Sequence, residues 1–455
     1  MQLLLGSKTM SGNKNLKIWL AMAPLIPLIP CLAGAKIIYV DNDGPADFNN
    51  IQAAIDANDT KDGDRILVSP GEYIINEPIT YRGKNITLKS EEGPEDTIIN
   101  GNHQIRIFTF NSGETNDAIL EGFTIIKGDA YEGGGIYCEG SSPIIRYNII
   151  TENEASHGGG IACRKADPLI ISNVISNNIG GGEGGGIYCI DSKAQILNNI
   201  IKENSVWDTN GGGIACYYKT FPIIKNNLII NNFAYEDGGG IFLGGSDAII
   251  EDNIIARNLT YEDGGGISCG GSRVRVFGNT IINNSTHYGG GGIDNFESDR
   301  INLIDNIIYA NTPTDLGGIE PDQIFYSDIG DGGFAGINGN ICSNPLFADP
   351  NNDDYHLKSQ AGRWDANEGR WTKDGVTSPC IDAGDPASPV GLEPFPNGGI
   401  INMGAYGGTA EASKSYFGEP ICETIVAGDI NGDCKVDYQD LFFLSLNWLA
   451  DNRQE

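Results

Sequence analysis

Seven copies of a Gly-Gly-Gly-Ile signature recur along the middle of this chain at a nearly constant interval. Self-similarity at such a period predicts a solenoid, in which stacked units bury a core that no single unit can bury alone. An ordinary compact globule is therefore excluded for this part of the chain. The signatures end 25 to 27 residues apart, at Ile136, Ile161, Ile187, Ile214, Ile241, Ile267 and Ile293.

A second signature, a pair of asparagines five residues apart, runs in phase with the first. Between the signatures lie apolar runs of about three residues, rich in β-branched side chains and too short for helices. We expect each unit to form one coil of an all-β, single-stranded parallel β-helix of about 26 residues per coil. The pairs are Asn148 and Asn153, Asn173 and Asn178, Asn199 and Asn204, Asn227 and Asn232, Asn253 and Asn258, Asn279 and Asn284, and Asn306 and Asn311.

The turn residues of the repeat have separate predicted roles. Asparagine tolerates the left-handed backbone of a sharp bend, so we expect the paired asparagines to occupy the bends. Their stacked amides can also hydrogen-bond to one another along the axis. The glycine triplets lack Cβ atoms and would let neighbouring coils approach closely.

The composition supports a repeat fold and excludes several partners. Glycine contributes 63 of 455 residues, about twice its usual share of roughly 7%. Apolar residues make up 40%, which is too many for a disordered chain. A formal charge of −31 repels nucleic acids and anionic lipid surfaces.

Residues 1–35 are predicted to be an export signal, which places the protein outside the cell or on its surface. Lys14 and Lys17 precede an apolar run, and Ala33-Gly34-Ala35 forms a cleavage site of small residues. The run is short and interrupted by prolines, so no membrane span is expected. Pro30 stands before Cys31, where a lipoprotein signal needs a small residue, and this favours plain secretion over lipidation.

Three further segments follow the predicted signal. Residues 36–320 are predicted to form the β-helix, with an N-terminal cap in which a short helix within Phe48–Ala57 buries Ile51, Ala54 and Ile55. Residues 321–415, where the repeat weakens, are predicted to form irregular coils and a C-terminal cap. Residues 416–455 are predicted to form a small separate module.

Several stretches resemble secreted bacterial right-handed β-helix proteins of the pectate-lyase-like superfamily, over roughly residues 36–415. The resemblance implies a right-handed helix. It implies no single activity, because that superfamily includes lyases, hydrolases, esterases and non-enzymes. The stretches are FNNIQAAIDANDTKDGDRILVSPGEYII from Phe48, the Asn-x-Ile repeats, NPLFADP from Asn344, SPCIDAGDP from Ser378 and INMGAYGG from Ile401.

A calcium-binding loop of twelve residues is predicted near the C-terminus, followed by an amphipathic helix over Leu441–Leu449. Oxygen side chains fall at positions 1, 3, 5, 9 and 12, and a carbonyl group at position 7, which is the spacing that surrounds one Ca²⁺. The alternative is a merely acidic turn. The predicted ligands are Asp429, Asn431, Asp433, Lys435 through its carbonyl, Asp437 and Asp440.

The predicted loop resembles one half of a type I dockerin, whose relatives accompany polysaccharide degradation. It departs from that family at position 6, where Cys434 replaces glycine, and in having one copy where dockerins carry two. Docking to a cohesin-like partner is therefore doubtful. Disulfide connectivity stays open, with Cys422–Cys434 and Cys342–Cys380 as candidate pairs.

Five cysteines stand two residues after a repeat isoleucine and so share its inward face. They form either a metal or redox array or, as we expect, an internal column of small apolar thiols. Leu243 occupies the same position in another coil and favours the second interpretation. The five are Cys138, Cys163, Cys189, Cys216 and Cys269.

Aromatic and acidic residues recur just before the glycine triplets, where equal phase would stack them along one edge. Rings can stack on sugars, and carboxylates can bind sugar hydroxyls or cations. The alternative is a variable, solvated loop edge. The predicted binding residues are Tyr131, Glu132, Glu183, Trp207, Tyr235, Asp237, Tyr261 and Asp263, with Asp208 and Tyr288 close by.

Two functions are compatible with the sequence: an extracellular carbohydrate-active enzyme, either lyase or glycosidase, and a non-catalytic surface or binding protein. No catalytic residues can be assigned. The scarcity of Lys and Arg in the repeats argues against a lyase, whereas acids on adjacent coils keep a glycosidase open. A hidden site is most plausibly sought in residues 320–400, near Arg363, Trp364, Arg370 and Trp371.

Overall fold

The computed structural model describes residues 35–296, 300–418, 428 and 435–441. Nearly all of the predicted export signal and the first half of the predicted calcium loop lie outside these residues. Within them, the chain forms a parallel β-solenoid whose coils contribute strands to four sheets, called sheets 1 to 4 in the order in which a coil visits them.

In the seven repeat coils, the strand that belongs to sheet 1 begins directly after the glycine triplet. Its strands are Ile79–Thr80, Phe108–Phe110, Ile136–Glu139, Ile161–Arg164, Ile187–Ile190, Ile214–Tyr217, Ile241–Gly244, Ile267–Gly270, Ile293–Phe296 and Leu316–Gly317. Sheet 2 contains Ile37–Val40, Arg65–Val68, Thr87–Ser90, Ile119–Glu121, Ile144–Arg146, Leu169–Ile171, Gln195–Leu197, Ile223–Lys225, Ala248–Glu251, Arg273–Phe277, Arg300–Ile304 and Ile324–Phe325.

Sheets 3 and 4 complete each coil. Sheet 3 contains Gly71–Ile74, Thr97–Asn100, Thr124–Ile126, Ile149–Thr151, Val174–Ser176, Ile200–Lys202, Leu228–Ile230, Ile254–Ala256, Thr280–Ile282, Ile307–Tyr309 and Asp328–Ile329. The shorter sheet 4 contains Asp129–Glu132, Glu154–His157, Ile179–Gly180, Ser205–Val206, Phe233–Ala234 and Leu259–Thr260. The predicted parallel β-helix is therefore confirmed.

The strands of successive coils pair in register, so that identical repeat positions stack. Ile136 pairs with Ile161, and Cys138 pairs with Cys163. Alternate residues point inward, and the inward columns of isoleucine form one continuous apolar core. The predicted internal column of thiols is confirmed, because all five cysteines are free and fully buried, with Leu243 completing the column.

Two asparagine ladders run along the corners on either side of sheet 3. The ladder from Asn148 to Asn306 lies between sheets 2 and 3, and the ladder from Asn153 to Asn311 lies between sheets 3 and 4. In each, the side-chain Nδ2 donates to Oδ1 of the asparagine one coil further, over 2.9 to 3.1 Å. The predicted amide stacking is confirmed.

The expected backbone conformation of these asparagines is wrong. The left-handed residue is the one immediately before each ladder position, for example Tyr147 (φ 56°), Glu203 (φ 56°) and Arg257 (φ 54°). That residue makes the turn, and the ladder asparagine itself points inward and is buried. The asparagines are thus needed for their buried amides, and the bend accepts several residue types.

A short helix, Ile51–Asp56, covers the N-terminal end of the solenoid. Asn50 caps it by accepting a hydrogen bond from Ala53 N at 3.0 Å. Ile51, Ala54 and Ile55 are buried against the first coils, as predicted. No helix in the described part of the chain is long and apolar enough to cross a bilayer.

The segment after the last coil returns along the outer face of sheet 3. It contains the 3-10 turns Pro321–Gln323 and Pro350–Asn352 and two antiparallel pairs, Phe347–Asp349 with Asp354–Leu357 and Arg363–Asp365 with Arg370–Thr372. Its apolar residues pack on those of sheet 3, forming a second core with Leu228, Ile230, Ile254, Ala256, Ile282, Ile307, Phe347, Tyr355, Leu357, Ile381 and Met403.

Polar contacts fix this returning segment to successive coils. Arg257 Nη1 donates to the Tyr355 hydroxyl at 2.7 Å, and Ala405 N donates to Thr280 Oγ1 at 3.1 Å. Ser388 Oγ donates to Asp305 Oδ2 at 2.8 Å, and burial raises the pKa of this carboxyl group to about 6.

The candidate disulfide between Cys342 and Cys380 is not formed. Cys342 is exposed, and its thiol donates to the carbonyl of Gly330 at 3.4 Å. Cys380 is buried in the second core between the returning segment and sheet 3, with Sγ 3.1 Å from Asp328 Oδ2. The two cysteines thus have different environments and different partners. Cys422 and Cys434 lie outside the described residues.

Candidate functional site

The bend between sheets 4 and 1 carries the predicted aromatic and acidic residues. It is built on the glycine triplets, whose first member has a positive φ, as in Gly158 (67°) and Gly184 (67°). The other two members lie against the backbone of the next coil, where a Cβ on Gly186 would stand 2.6 Å from Gly213 O. The bend is therefore repeated with little variation.

One residue per coil stands immediately before each triplet, and these residues form a stacked line that we call the pre-triplet column. Backbone hydrogen bonds set its register, with Gly158 N donating to Glu183 O and Gly211 N donating to Asp237 O, both at 2.9 Å. The column consists of Glu132, His157, Glu183, Asn210, Asp237, Asp263 and Gly289.

Glu132 is buried at the start of the column and is paired with Arg164, whose Nε lies 3.2 Å from Glu132 Oε2. Burial raises the pKa of Glu132, but the hydrogen bonds and charge of Arg164 outweigh it and lower the pKa overall. Arg106 donates to the Glu132 carbonyl and lies 4.3 Å over the Tyr137 ring. Glu132 thus belongs to a local buried network.

His157 and Glu183 form the next contact of the column. His157 Nδ1 lies 3.2 Å from Glu183 Oε2. The imidazole ring stands between Tyr131 and Tyr188, with ring centroids 5.3 and 5.2 Å away. Both side chains are partly exposed, His157 at 23% and Glu183 at 25%.

Asp237 and Asp263, further along the column, donate from their backbone N–H groups to side chains one coil earlier. Asp263 N donates to Asp237 Oδ1 at 3.0 Å, and Asp237 N donates to Asn210 Oδ1 at 2.8 Å. Burial, followed by the charge of nearby acids, raises the pKa of Asp237 to about 6 and also raises that of Asp263. The side chains of Asn210 and Asp237 therefore help to hold successive bends together.

Exposed rings on consecutive coils, joined by the half-buried Phe233, form a continuous row beside the column, which we call the ring ladder. Its ring centroids are 5.5 Å apart for Trp207 and Phe233, and 5.6 Å apart for Phe233 and Tyr261. Tyr261 also lies 5.4 Å from Tyr235 and 5.2 Å from His287. Trp207, Tyr235 and Tyr261 are 61%, 49% and 46% exposed.

The structure thus groups only some of the predicted aromatic residues. Trp207, Tyr235 and Tyr261 share the ring ladder, whereas the exposed Tyr131 contacts His157 at the other end of the edge. Phe233 joins the ladder although the sequence reasoning did not select it. The sequence could have identified Phe233, because it directly follows the ladder residue Asn232 and therefore has a fixed position in the coil.

A second aromatic row, on the outer face of sheet 1, was also missed. Tyr188, Tyr217 and Phe242 follow one another with centroids 6.1 and 5.1 Å apart. Each of the three is next in sequence to an inward residue of the cysteine column. The two-residue period of a strand could therefore have identified them as outward residues. Asn210 Nδ2 donates to the Tyr217 hydroxyl at 2.9 Å and joins this row to the pre-triplet column.

The C-terminal residues suggested as a place for a hidden site lie on the returning segment. Trp364 and Trp371 pack edge to face at 5.6 Å, and Lys414 Nζ lies 4.4 Å over Trp371. Arg363 is mostly buried between Asp354 and Asp374, at 3.2 and 3.3 Å. This arrangement joins the antiparallel hairpin to the segment beneath it.

Only part of the predicted calcium loop can be placed. Asp437 Oδ1 accepts from Gln439 N at 2.8 Å, and Asp440 Oδ2 accepts from Asp437 N at 2.7 Å. Helical backbone begins at Tyr438. Asp429, Asn431 and Asp433 lie outside the described residues, among which no three His, Cys, Asp or Glu side chains form a metal-holding group.

A family model for β-helices matches the repeat region of this chain. Residues 95–251 and 135–312 match the family model "Right handed beta helix region". The crystal structure of pectate lyase Pel9A is similar at 16% identity and a TM-score of 0.38, over 82% of this chain and 97% of that one. Geobacillus virus E2 ORF18 is similar at 15% identity and a TM-score of 0.20, over 59% and 62%. No curated protein matches. The chain folds as a right-handed β-helix, and neither structural similarity bears on activity.

Proposed function

We propose that this right-handed β-helix is an extracellular protein that binds an extended polysaccharide along the ring ladder. The observation that supports the proposal is the contiguous row of exposed rings on consecutive coils. Exposed aromatic clusters are costly in water and commonly mark interaction surfaces. Sugar rings present flat C–H faces that stack on such side chains.

The spacing of the ladder favours a polymer over a small ligand. Contacting ladder rings stand 5.2 to 5.6 Å apart. A sugar unit in an extended chain has a similar length, roughly one coil spacing of 5 Å. One sugar can therefore meet each coil, and the glycine triplets beside the ladder add little side-chain bulk.

Removing the ladder rings should abolish polysaccharide binding without unfolding the protein. We expect the triple variant Trp207→Ala, Tyr235→Ala, Tyr261→Ala to lose at least about 100-fold in affinity, since each stacked ring contributes about 1 kcal/mol or more. Affinity electrophoresis against a polysaccharide panel, followed by calorimetry with the retained glycan, measures this loss.

A matched control replaces three exposed rings elsewhere, with Tyr39→Ala, Tyr147→Ala and Phe221→Ala. Their exposures of 43%, 40% and 46% resemble those of the ladder rings. The control should bind like the unaltered protein. Equal binding by both triple variants would refute the ladder as the binding surface.

Degradation of the bound chain is a property separate from its binding. Incubation of the retained glycan with the protein, followed by product analysis, distinguishes a lyase or glycosidase from a non-catalytic binding protein. Unsaturated ends would identify a lyase, new reducing ends without unsaturation a glycosidase, and intact polymer a binding protein.

We further propose that the C-terminal loop binds one Ca²⁺ per chain. The support is the ligand spacing from Asp429 to Asp440. Calorimetric titration of the full chain with calcium should show one site, and the double variant Asp429→Ala, Asp433→Ala should remove it. Absence of binding at millimolar calcium, or unchanged binding by the variant, would contradict the loop assignment.

A further inference from the structure

Carboxylates are interleaved with the ring ladder on the same coils. Asp208 follows Trp207, Glu236 follows Tyr235 and Glu262 follows Tyr261 along the chain. Backbone hydrogen bonds place Glu236 and Glu262 in register on adjacent coils, with Glu262 N donating to Glu236 O at 3.1 Å. Each step of the ladder therefore offers an acid beside a ring.

Within the part of the chain that the structure describes, these acids have no cationic partner. No ion pair among the described residues involves Asp208, Glu236 or Glu262, nor the neighbouring Asp237 and Asp263. Partial burial, and then the charges of Glu262 and Asp208, raise the pKa of Glu236. The acids thus repel one another, and the surface along the ladder is electronegative.

On the outer face of sheet 2, in contrast, acidic side chains are paired with basic ones. On sheet 2, Arg146 and Lys89 both pair with Glu121, at 2.6 and 2.7 Å. Lys225 pairs with Glu251 at 2.7 Å and with Asp252 at 3.2 Å. The repeat can therefore neutralise an acid with a basic residue from a neighbouring coil, and the acids along the ring ladder are not neutralised in this way.

Building on the proposed function, we infer that the polysaccharide held by the ring ladder carries protonated amino groups, as a polymer of glucosamine does. Ammonium groups pair with carboxylates and are also attracted to the faces of Trp and Tyr rings. A polyuronate would be repelled by the same acids unless a divalent cation bridged the two. A neutral glycan would gain from the rings alone and leave the acids unpaired.

The test compares β-1,4-linked oligomers of glucosamine, N-acetylglucosamine and glucose with an α-1,4-linked galacturonate oligomer of the same length. Binding is measured by calorimetry below the pKa of the glucosamine amine, in chelator and again with calcium. We expect the glucosamine oligomer to bind about tenfold more tightly than its acetylated form, because three exposed charge pairs are lost on acetylation. Added salt should weaken the binding of the glucosamine oligomer more than the binding of the neutral oligomers.

Two triple variants test which acids cause the preference for the glucosamine oligomer. Asp208→Asn, Glu236→Gln, Glu262→Gln should reduce the tenfold preference to about twofold or less and leave binding of the glucose oligomer unchanged. The control Glu152→Gln, Asp191→Asn, Glu203→Gln alters exposed acids on other parts of the coils and should keep the preference.

The outcomes separate this inference from the proposed function. If no oligomer binds, the proposed polysaccharide site itself is refuted. If neutral oligomers bind through the ladder as tightly as the glucosamine oligomer, the site stands and the inference about its substrate is overturned. Binding of galacturonate that requires calcium would likewise overturn it, and would assign the acids to a bridging cation.

Discussion

Replacement of Gly212 by alanine is expected to destabilise the solenoid by about 3 kcal/mol or more and to lower its melting temperature accordingly. The added Cβ would stand 2.4 Å from Phe233 O, 2.5 Å from Phe233 C and 2.7 Å from Gly239 O. All three are backbone atoms of the next coil. That coil is hydrogen-bonded on both sides, so it cannot move away without breaking register with its own neighbour.

Two further glycines serve as controls for the Gly212 substitution. Gly271 has a left-handed backbone (φ 61°) but no atom within 4 Å of an added Cβ, so alanine there should cost only about 1 kcal/mol. Gly375 has neither constraint, and its alanine variant should behave like the unaltered protein. Thermal unfolding followed by circular dichroism measures all three. Equal melting temperatures for the Gly212 and Gly375 variants would refute close coil packing as the role of the triplets.

The second large effect is expected from Asn227→Asp, which changes one side-chain NH₂ into an oxygen and preserves shape. Asn227 Nδ2 donates to Ile196 O at 2.8 Å, to Lys225 O at 3.0 Å and to Asn253 Oδ1 at 3.0 Å. An aspartate would place a charged acceptor against three acceptors in a buried position. We expect a loss of about 3 kcal/mol or more at neutral pH.

The adjacent Asn226 provides the matched control for this substitution. It has the left-handed backbone of the bend (φ 55°) and is partly exposed, and aspartate also tolerates that conformation. Asn226→Asp should therefore change stability by about 0.5 kcal/mol or less. Urea unfolding of both variants tests the expectation, and a larger effect at Asn226 than at Asn227 would reverse the assigned roles of the two asparagines.

The coil architecture could be predicted from the sequence because each repeat position has one structural role in every coil. Ile161 and Cys163 lie inward in their coil for the same reason as Ile136 and Cys138 in theirs, and the stacking register follows from the period. The bend residue was misassigned because its requirement is conformational. Tyr147, Glu203 and Arg257 meet it equally well, so no residue type marks the position.

The candidate site could be predicted only in outline. Phase alone identified the edge and grouped Trp207, Tyr235 and Tyr261. It could not show that Glu132 is held by Arg164, or that Asp237 accepts a backbone hydrogen bond from Asp263, because those partners depend on side-chain reach between coils. The course of the returning segment was equally inaccessible, since its contacts with Arg257 and Asp305 join residues about 80 to 100 positions apart.

The returning segment makes the solenoid asymmetric in its resistance to opening. A linear stack held only by nearest neighbours can fray from either end, one coil at a time. Here the coils from Leu228 to Asp328 are spanned on sheet 3 by a second layer that is bonded to Arg257, Thr280 and Asp305. Separating any two of these coils also requires peeling that layer, so they form one cooperative block. Amide hydrogens in the coils before Leu228 should accordingly exchange with solvent sooner than those within the block.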